Sequence, residues 1–213
     1  MTTEALRRLL LRGGAASPLI AIGCLLIATA LYPGFDSATR YISELGTGGR
    51  FGATALFNLS LIAVALGGAA AGAGFVLATP ALGGSKIAGW IVGLCFFAAA
   101  VGLICGLLFV YPNPWHNLIQ LGLGIQLAPI ALLIAVWRLP GLGLLRGFLV
   151  VSLASMLALT VVTKHLLWPQ LVNSANVGWW ERGYAVILVC WGGVAAILIE
   201  RRLIEATALK AAG

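Results

Sequence analysis

Charge is what this sequence has least of. Of its 213 residues, 9% are Asp, Glu, Lys or Arg, against roughly 25% in a soluble globular domain. A chain so poor in charge cannot cover a water-facing surface. That excludes an ordinary soluble enzyme and, with 61% hydrophobic residues, a disordered chain. Cysteine is sparse too. Cys24, Cys95, Cys105 and Cys190 each lie inside an apolar run and none forms a C-x-x-C pair. This excludes a secreted disulfide scaffold and reads as small apolar packing. Histidine occurs twice, at His116 and His165. No H-E-x-x-H or comparable ligand spacing accompanies them, so no metal site and no cofactor are expected. Acidic residues number 6 against 13 basic ones. The basic residues sit in short flanks between apolar runs, where no domain exists to carry a basic patch, and no nucleic-acid partner is expected.

What the sequence has is hydrocarbon. Mean hydropathy is +1.05. Six apolar stretches run over 15–32, 53–79, 87–111, 117–137, 147–167 and 183–199. A spanning helix needs about 17–25 such residues, and in lipid the backbone must satisfy its own hydrogen bonds. The fold class expected is all-α: a polytopic membrane protein, with residues 1–213 forming a single six-helix bundle. Orientation follows from the Lys and Arg distribution. With the N-terminus inside, the inner set is Arg7, Arg8, Arg12, Lys86, Arg138, Arg146, Arg201, Arg202 and Lys210, and the outer set is Arg40, Arg50, Lys164 and Arg182. Nine against four places both termini in the cytoplasm, with the chain integral to the cytoplasmic membrane. Ala28-Thr29-Ala30 has the small-residue pattern of a signal-peptide cleavage site; an uncleaved first helix is the expectation adopted.

Small-residue pairs at i, i+4 mark close helix approach: Gly68 and Gly72, Gly89 and Gly93, Gly102 and Gly106. They fit a tight bundle or an interface with other chains. The first, third and fifth runs leave the bilayer through an aromatic followed by proline, at Tyr32-Pro33, Tyr111-Pro112 and Trp168-Pro169, a weak internal repeat. No ionisable residue sits in the middle of any run, which argues against ion-coupled transport.

The outer connections hold most of the polar chemistry. In the first, Ala38, Tyr41, Ile42 and Leu45 fall on one helical stripe. Asp36 or Ser37 can cap its start, Gly46 can end it, and Arg40 and Glu44 are four apart. This predicts a short interfacial helix. In the second, Asn113 and Pro114 suit the cap and first position of the fourth helix, which puts His116 in its first turn. Lys164, His165 and Trp168 close the fifth helix. Trp179, Trp180, Glu181 and Arg182 precede the sixth. Asn58 and Gln120 lie a turn or two inside the second and fourth helices. Polar groups gathered at membrane depth are a functional hypothesis. The acyl-transfer arrangement is Ser43 with His116 and a carboxylate, though no nucleophile-elbow motif surrounds Ser43.

Several of these residues also form a pattern. Tyr32-Pro33, then Tyr41-Ile42-Ser43-Glu44-Leu45-Gly46, then Leu56-Phe57-Asn58 resembles a bacterial and archaeal membrane family catalogued as domain of unknown function 998. The resemblance continues through Pro112, His116, Glu181, Arg182 and Trp191, and covers roughly residues 18–202. An acidic residue usual soon after the third-helix proline is absent, with Asn113 and Pro114 in its place. The resemblance implies the six-helix fold and draws attention to Ser43, Glu44, Asn58, His116, Glu181 and Arg182. It implies no substrate.

The functional expectation is binding of a lipid or amphiphile at the outward-facing polar cluster. Arg40, Tyr41, Ser43, Glu44, Asn58, Trp115, His116, Lys164, His165, Glu181 and Arg182 are its candidate binding residues. The alternatives are an accessory subunit of a larger membrane complex and a lipid-modifying enzyme using His116, Glu44 and Ser43. The partners expected are membrane lipids, with a homo-oligomer or larger membrane complex as a further association.

Overall fold

The computed structural model describes residues 2–47, 49–109 and 113–212. Among these there is no strand. The order is α1 (Thr3–Ala30), α2 (Glu44–Thr47), α3 (Phe51–Ala81), α4 (Lys86–Leu108), a 3-10 helix (Pro114–Gln126), α5 (Ala128–Val136), α6 (Gly143–Thr163) and α7 (Val177–Ala212). Six segments are long and apolar enough to cross a membrane, with the 3-10 helix and α5 together forming the fourth. The chain is an integral membrane protein by this architecture.

Neighbours in sequence are neighbours in space. α1 packs on α3, α3 on α4, α4 on the 3-10 helix and α5, α5 on α6, and α6 on α7. The ring closes where α7 returns to α1. Both chain ends lie on one face, where Arg12 pairs with Glu200 at 2.6 Å and the Thr207 hydroxyl donates to Glu4 at 3.4 Å. That is the terminal face; the opposite end is the distal face.

Close packing follows from the glycine pairs. A Cβ on Gly93 would meet Val76 Cγ2 at 2.5 Å, and one on Gly72 would meet Phe96 Cβ at 2.8 Å and the Gly93 carbonyl at 3.2 Å. Gly102 seats the 3-10 helix, its Cβ position lying 2.9 Å from the Leu118 carbonyl. All three pairs singled out in the sequence therefore sit in contacts within the chain.

The main core runs from near the terminal face past the middle of the bundle. Leu11, Phe75, Val92, Leu132, Leu149, Trp191 and Ile199 are buried there with their neighbours. Phe75, Phe96 and Trp191 stack as a chain of tilted rings, with centroids 5.6 and 5.2 Å apart. A smaller cluster, Ala28, Leu45 and Ala53 backed by Tyr32, Phe35, Ile42 and Phe57, lies under the distal face.

Five expectations need correction. The first and last spans are longer than their apolar runs, at 28 and 36 residues. Ion pairs carry the helices past the hydrocarbon: Arg8 with Glu4, Arg12 with Glu200 and Arg202 with Glu205. The fourth span is not one α-helix. Its first 13 residues are 3-10, and α-geometry begins only around Pro129, whose missing N–H cannot join an α ladder. The first distal loop is not an amphipathic helix over 36–46. It is two turns and the four-residue α2, because Asp36 and Glu44 bond the loop's own backbone in place of helical partners. Gly46 does not end a helix in the left-handed region; Gly49 takes that conformation at φ 67°. Lastly, α6 stops at Thr163, five residues before Trp168, so Trp168-Pro169 is not at a helix exit. Tyr111-Pro112 lies outside the described residues.

Candidate functional site

Two places collect the polar side chains of the distal half. The first is a cap, where the loop after α1 is fastened to the start of α7. Glu181 Oε2 accepts the Ile42 N–H at 2.5 Å. Arg182 Nη1 donates to the carbonyls of Ser37, Arg40 and Gly178 at 2.9, 2.9 and 2.8 Å. The Gly178 N–H returns to the Ala38 carbonyl at 2.8 Å. Such an approach needs glycine: a Cβ there would lie 2.4 Å from the Ser37 carbonyl and 2.5 Å from that of Arg40.

Within the loop, the Arg40 Nε donates to Glu44 at 2.8 Å, and Glu44 also accepts the Tyr41 N–H at 2.8 Å. Arg40 lies 5.1 Å from the ring centres of Tyr32 and Phe35, and Arg182 lies 5.5 Å from that of Phe35, close enough for cation–π attraction. The Arg40 guanidinium, then the Tyr41 N–H, hold the Glu44 carboxyl below its usual range. The Glu44 carboxylate in turn raises Arg40. The Ala38 N–H and the Thr39 hydroxyl lower Asp36. These charges are committed to bonds inside the protein.

The cap brings Arg40, Glu44, Glu181 and Arg182 together. Tyr41 and Ser43 are exposed at its edge. The other candidates lie apart from it in their bonding. His116 opens the 3-10 helix, with Nδ1 2.8 Å from the Phe109 carbonyl. Trp115 is exposed beside Phe109, with centroids 6.3 Å apart. Lys164 ends α6 and is exposed. His165 has φ 56° and Nδ1 3.1 Å from the Pro169 carbonyl. Trp168, at φ 50°, shares that strained turn. Asn58 is half-buried on α3. Among the described residues no hydrogen bond joins Ser43, Glu44 and His116, and no group of three His, Cys, Asp or Glu side chains converges.

The second place is a cavity of about 290 Å³ in the middle of the bundle, between α1, α3, α4, the 3-10 helix and α7. Phe96, a member of the core, forms part of its wall. Gly68, Ala99, Gly122 and Gly192 make other parts of the wall thin. A Cβ on Gly68 or Gly122 would find only ordinary contacts, at 3.7 Å. Ile119, Gly122 and Ile125 form one row along the 3-10 helix, and Leu123 and Gln126 a second. That is the three-residue repeat expected of this helix type. The cavity's polar lining residues are Ser17, whose hydroxyl donates to the Gly14 carbonyl at 3.2 Å, Gln126 and Tyr184. Behind the last two, Thr160 Oγ1 lies 3.3 Å from Gln126 Oε1 and 3.1 Å from the Tyr184 oxygen.

One family model matches the chain over residues 15–198, nearly its full length. The chain belongs to the family described as Protein of unknown function (DUF998). No curated protein and no solved structure matches it. In this DUF998 member, the residues that carried the sequence resemblance divide by place. Glu44, Glu181 and Arg182 hold the cap, and Trp191 is buried in the core beside Phe96.

Gln126, Thr160 and Tyr184 were absent from the sequence-based candidates. Part of the signal was available: a carboxamide and a threonine hydroxyl well inside apolar runs, and a tyrosine at the start of the last one. Asn58 and Gln120 drew attention instead because they lie nearer the polar connections. Gln120 is exposed on the 3-10 helix.

Proposed function

We propose that this DUF998 protein binds a membrane lipid or other amphiphile, with the apolar part of the ligand in the mid-bundle cavity. The single observation that carries this reading is the cavity itself. A void of about 290 Å³ is close to the lower end of ordinary ligand pockets, roughly 300 Å³. Close-packed interiors leave few voids larger than a water. A space with largely apolar walls and few polar groups is the general form of a binding pocket. Surrounded by bilayer, the molecules that reach it are lipids.

The distal residues outside the cap's bonds are those available to a headgroup at the surface: Ser43, Lys164 and the exposed Trp115. The basic-residue asymmetry supports a distal face turned outward, with both termini in the cytoplasm. The glycine pairs that motivated the subunit alternative make contacts inside the chain, which supports the binding reading.

Native mass spectrometry of the protein released gently from its own membrane tests this reading. The wild type is expected to retain a non-protein mass. Gly68→Leu, which fills the cavity from a position with room for a Cβ, is expected to fold and to lose that mass. A retained polypeptide without any small molecule would move the reading to the accessory subunit.

A further inference from the structure

The polar groups on the cavity wall narrow the class of ligand. The residues that line it include no Asp, Glu, Lys, Arg or His. A charged headgroup placed there would lose its hydration and find no counter-charge, a cost of several kcal/mol. The cavity therefore does not suit a phosphate, a carboxylate or an ammonium.

The hydrogen-bond inventory around Thr160 shows what it does suit. Thr160 has one hydroxyl proton, and its nearest acceptor is the Met156 carbonyl at 2.8 Å. The Tyr184 hydroxyl, 3.1 Å away, can then donate to Thr160 Oγ1. The Gln126 carboxamide meets Thr160 through one half only, at 3.3 Å. Its other half has no partner among the described residues. Exchanging the amide oxygen and nitrogen changes which half is committed and does not remove the surplus. A half-buried carboxamide on a cavity wall thus offers a donor or an acceptor with nothing in the chain to meet it.

Resting on the lipid-binding reading above, we infer that the ligand is an uncharged long-chain molecule with a hydroxyl or carbonyl group, and that Gln126 hydrogen-bonds that group. A long-chain alcohol fits both states of the carboxamide, since a hydroxyl both donates and accepts.

Three probes sharing one chain distinguish the possibilities: hexadecane, hexadecanol and hexadecyl phosphate, each with a mid-chain diazirine. The protein is reconstituted in phosphatidylcholine nanodiscs, irradiated, and its labelled peptides are mapped. Hexadecanol is expected to label inward cavity-wall residues such as Phe96, Leu103 and Leu188 above the lipid-facing background, and hexadecyl phosphate is not. Gln126→Leu keeps the bulk and removes the hydrogen bond. It is expected to cut cavity labelling by hexadecanol about five- to ten-fold and to leave labelling by hexadecane unchanged, which also shows that the variant has folded. Tyr184→Phe provides a second variant with a weaker effect of the same kind. Cavity labelling by the phosphate equal to that by the alcohol, or a Gln126→Leu variant that takes hexadecanol as well as wild type, overturns the neutral-headgroup inference and leaves lipid binding standing. Failure of all three probes to label the cavity overturns both.

Discussion

Arg182 Nη1 faces three carbonyls, from Ser37, Arg40 and Gly178, with only two hydrogens to share. No other side chain offers that many donors in a fixed plane. Arg182→Lys is therefore not a conservative change here. Arg182→Ala is expected to destabilise the purified protein by about 2 kcal/mol, a fall of roughly 4–8 °C in Tm for a chain of this length. Lysine should recover only part of it. Gly178→Ala tests the same joint from the other side. Its Cβ would enter the space of the Ser37 and Arg40 carbonyls, and a loss of about 1–3 kcal/mol is expected. Thermal unfolding in mild detergent reads all three. Wild-type stability in Arg182→Ala would mean the cap is not a structural joint. Part of this was legible beforehand. Arg40 and Glu44 stand at i, i+4 and do pair. That Glu181 and Arg182 close over the same loop was not, because about 140 residues separate the partners and no local pattern encodes the return.

At the scale of elements, the loop over 36–47 shows why amphipathic spacing misled. Ala38, Tyr41, Ile42 and Leu45 have helical periodicity, and Leu45 is buried, but Tyr41 is exposed. Carboxylates that bond nearby backbone N–H groups compete with helix formation, and here two of them do so. Both carboxyls are held below their ordinary values, Asp36 by the Ala38 N–H and Glu44 by Arg40. A depressed carboxyl stabilises the fold above its unfolded pKa, and that stability is lost as pH falls through the folded value. The cap's two carboxylate bonds are therefore expected to hold at neutral pH and to loosen as the pH falls below the ordinary carboxylate range. Hydrogen exchange at the Ala38 and Tyr41 amides, corrected for intrinsic rate, should show protection falling with the pH. Protection independent of pH would remove the carboxylates from the account. The fourth span carries the opposite lesson. Asn113 caps it and Pro114 opens it as its sequence suggests, with Asn113 Oδ1 accepting the Trp115 N–H at 3.0 Å. Its 3-10 turns, however, lie against Gly102 of another helix, a contact that no local pattern encodes.

For the whole molecule, the mid-bundle cavity is the feature that joins fold to function. Large side chains fill the core, and glycines and alanines beside them leave the cavity. The same residue type does both jobs. At Gly72 and Gly93 the missing side chain lets two backbones meet, whereas at Gly68 and Gly122, on the cavity wall, a Cβ would make only ordinary contacts. Sequence spacing cannot separate these cases, since all four glycines lie in apolar runs. Substitution can. Gly93→Leu drives a side chain into Val76 and the Gly72 backbone, and is expected to prevent a monodisperse folded protein from being recovered. Gly68→Leu should be recovered normally and should differ only in what it binds. The packing of the terminal half also ties both chain ends together through Arg12–Glu200, so an even number of crossings is built into the fold. With nine basic residues on that side and four on the other, a reporter on the C-terminus should read as cytoplasmic, and so should one on the N-terminus. Two reporters on opposite sides would break the six-span architecture. Two on the far side together would keep the architecture and reverse the orientation, bringing the distal cap to the cytoplasmic leaflet.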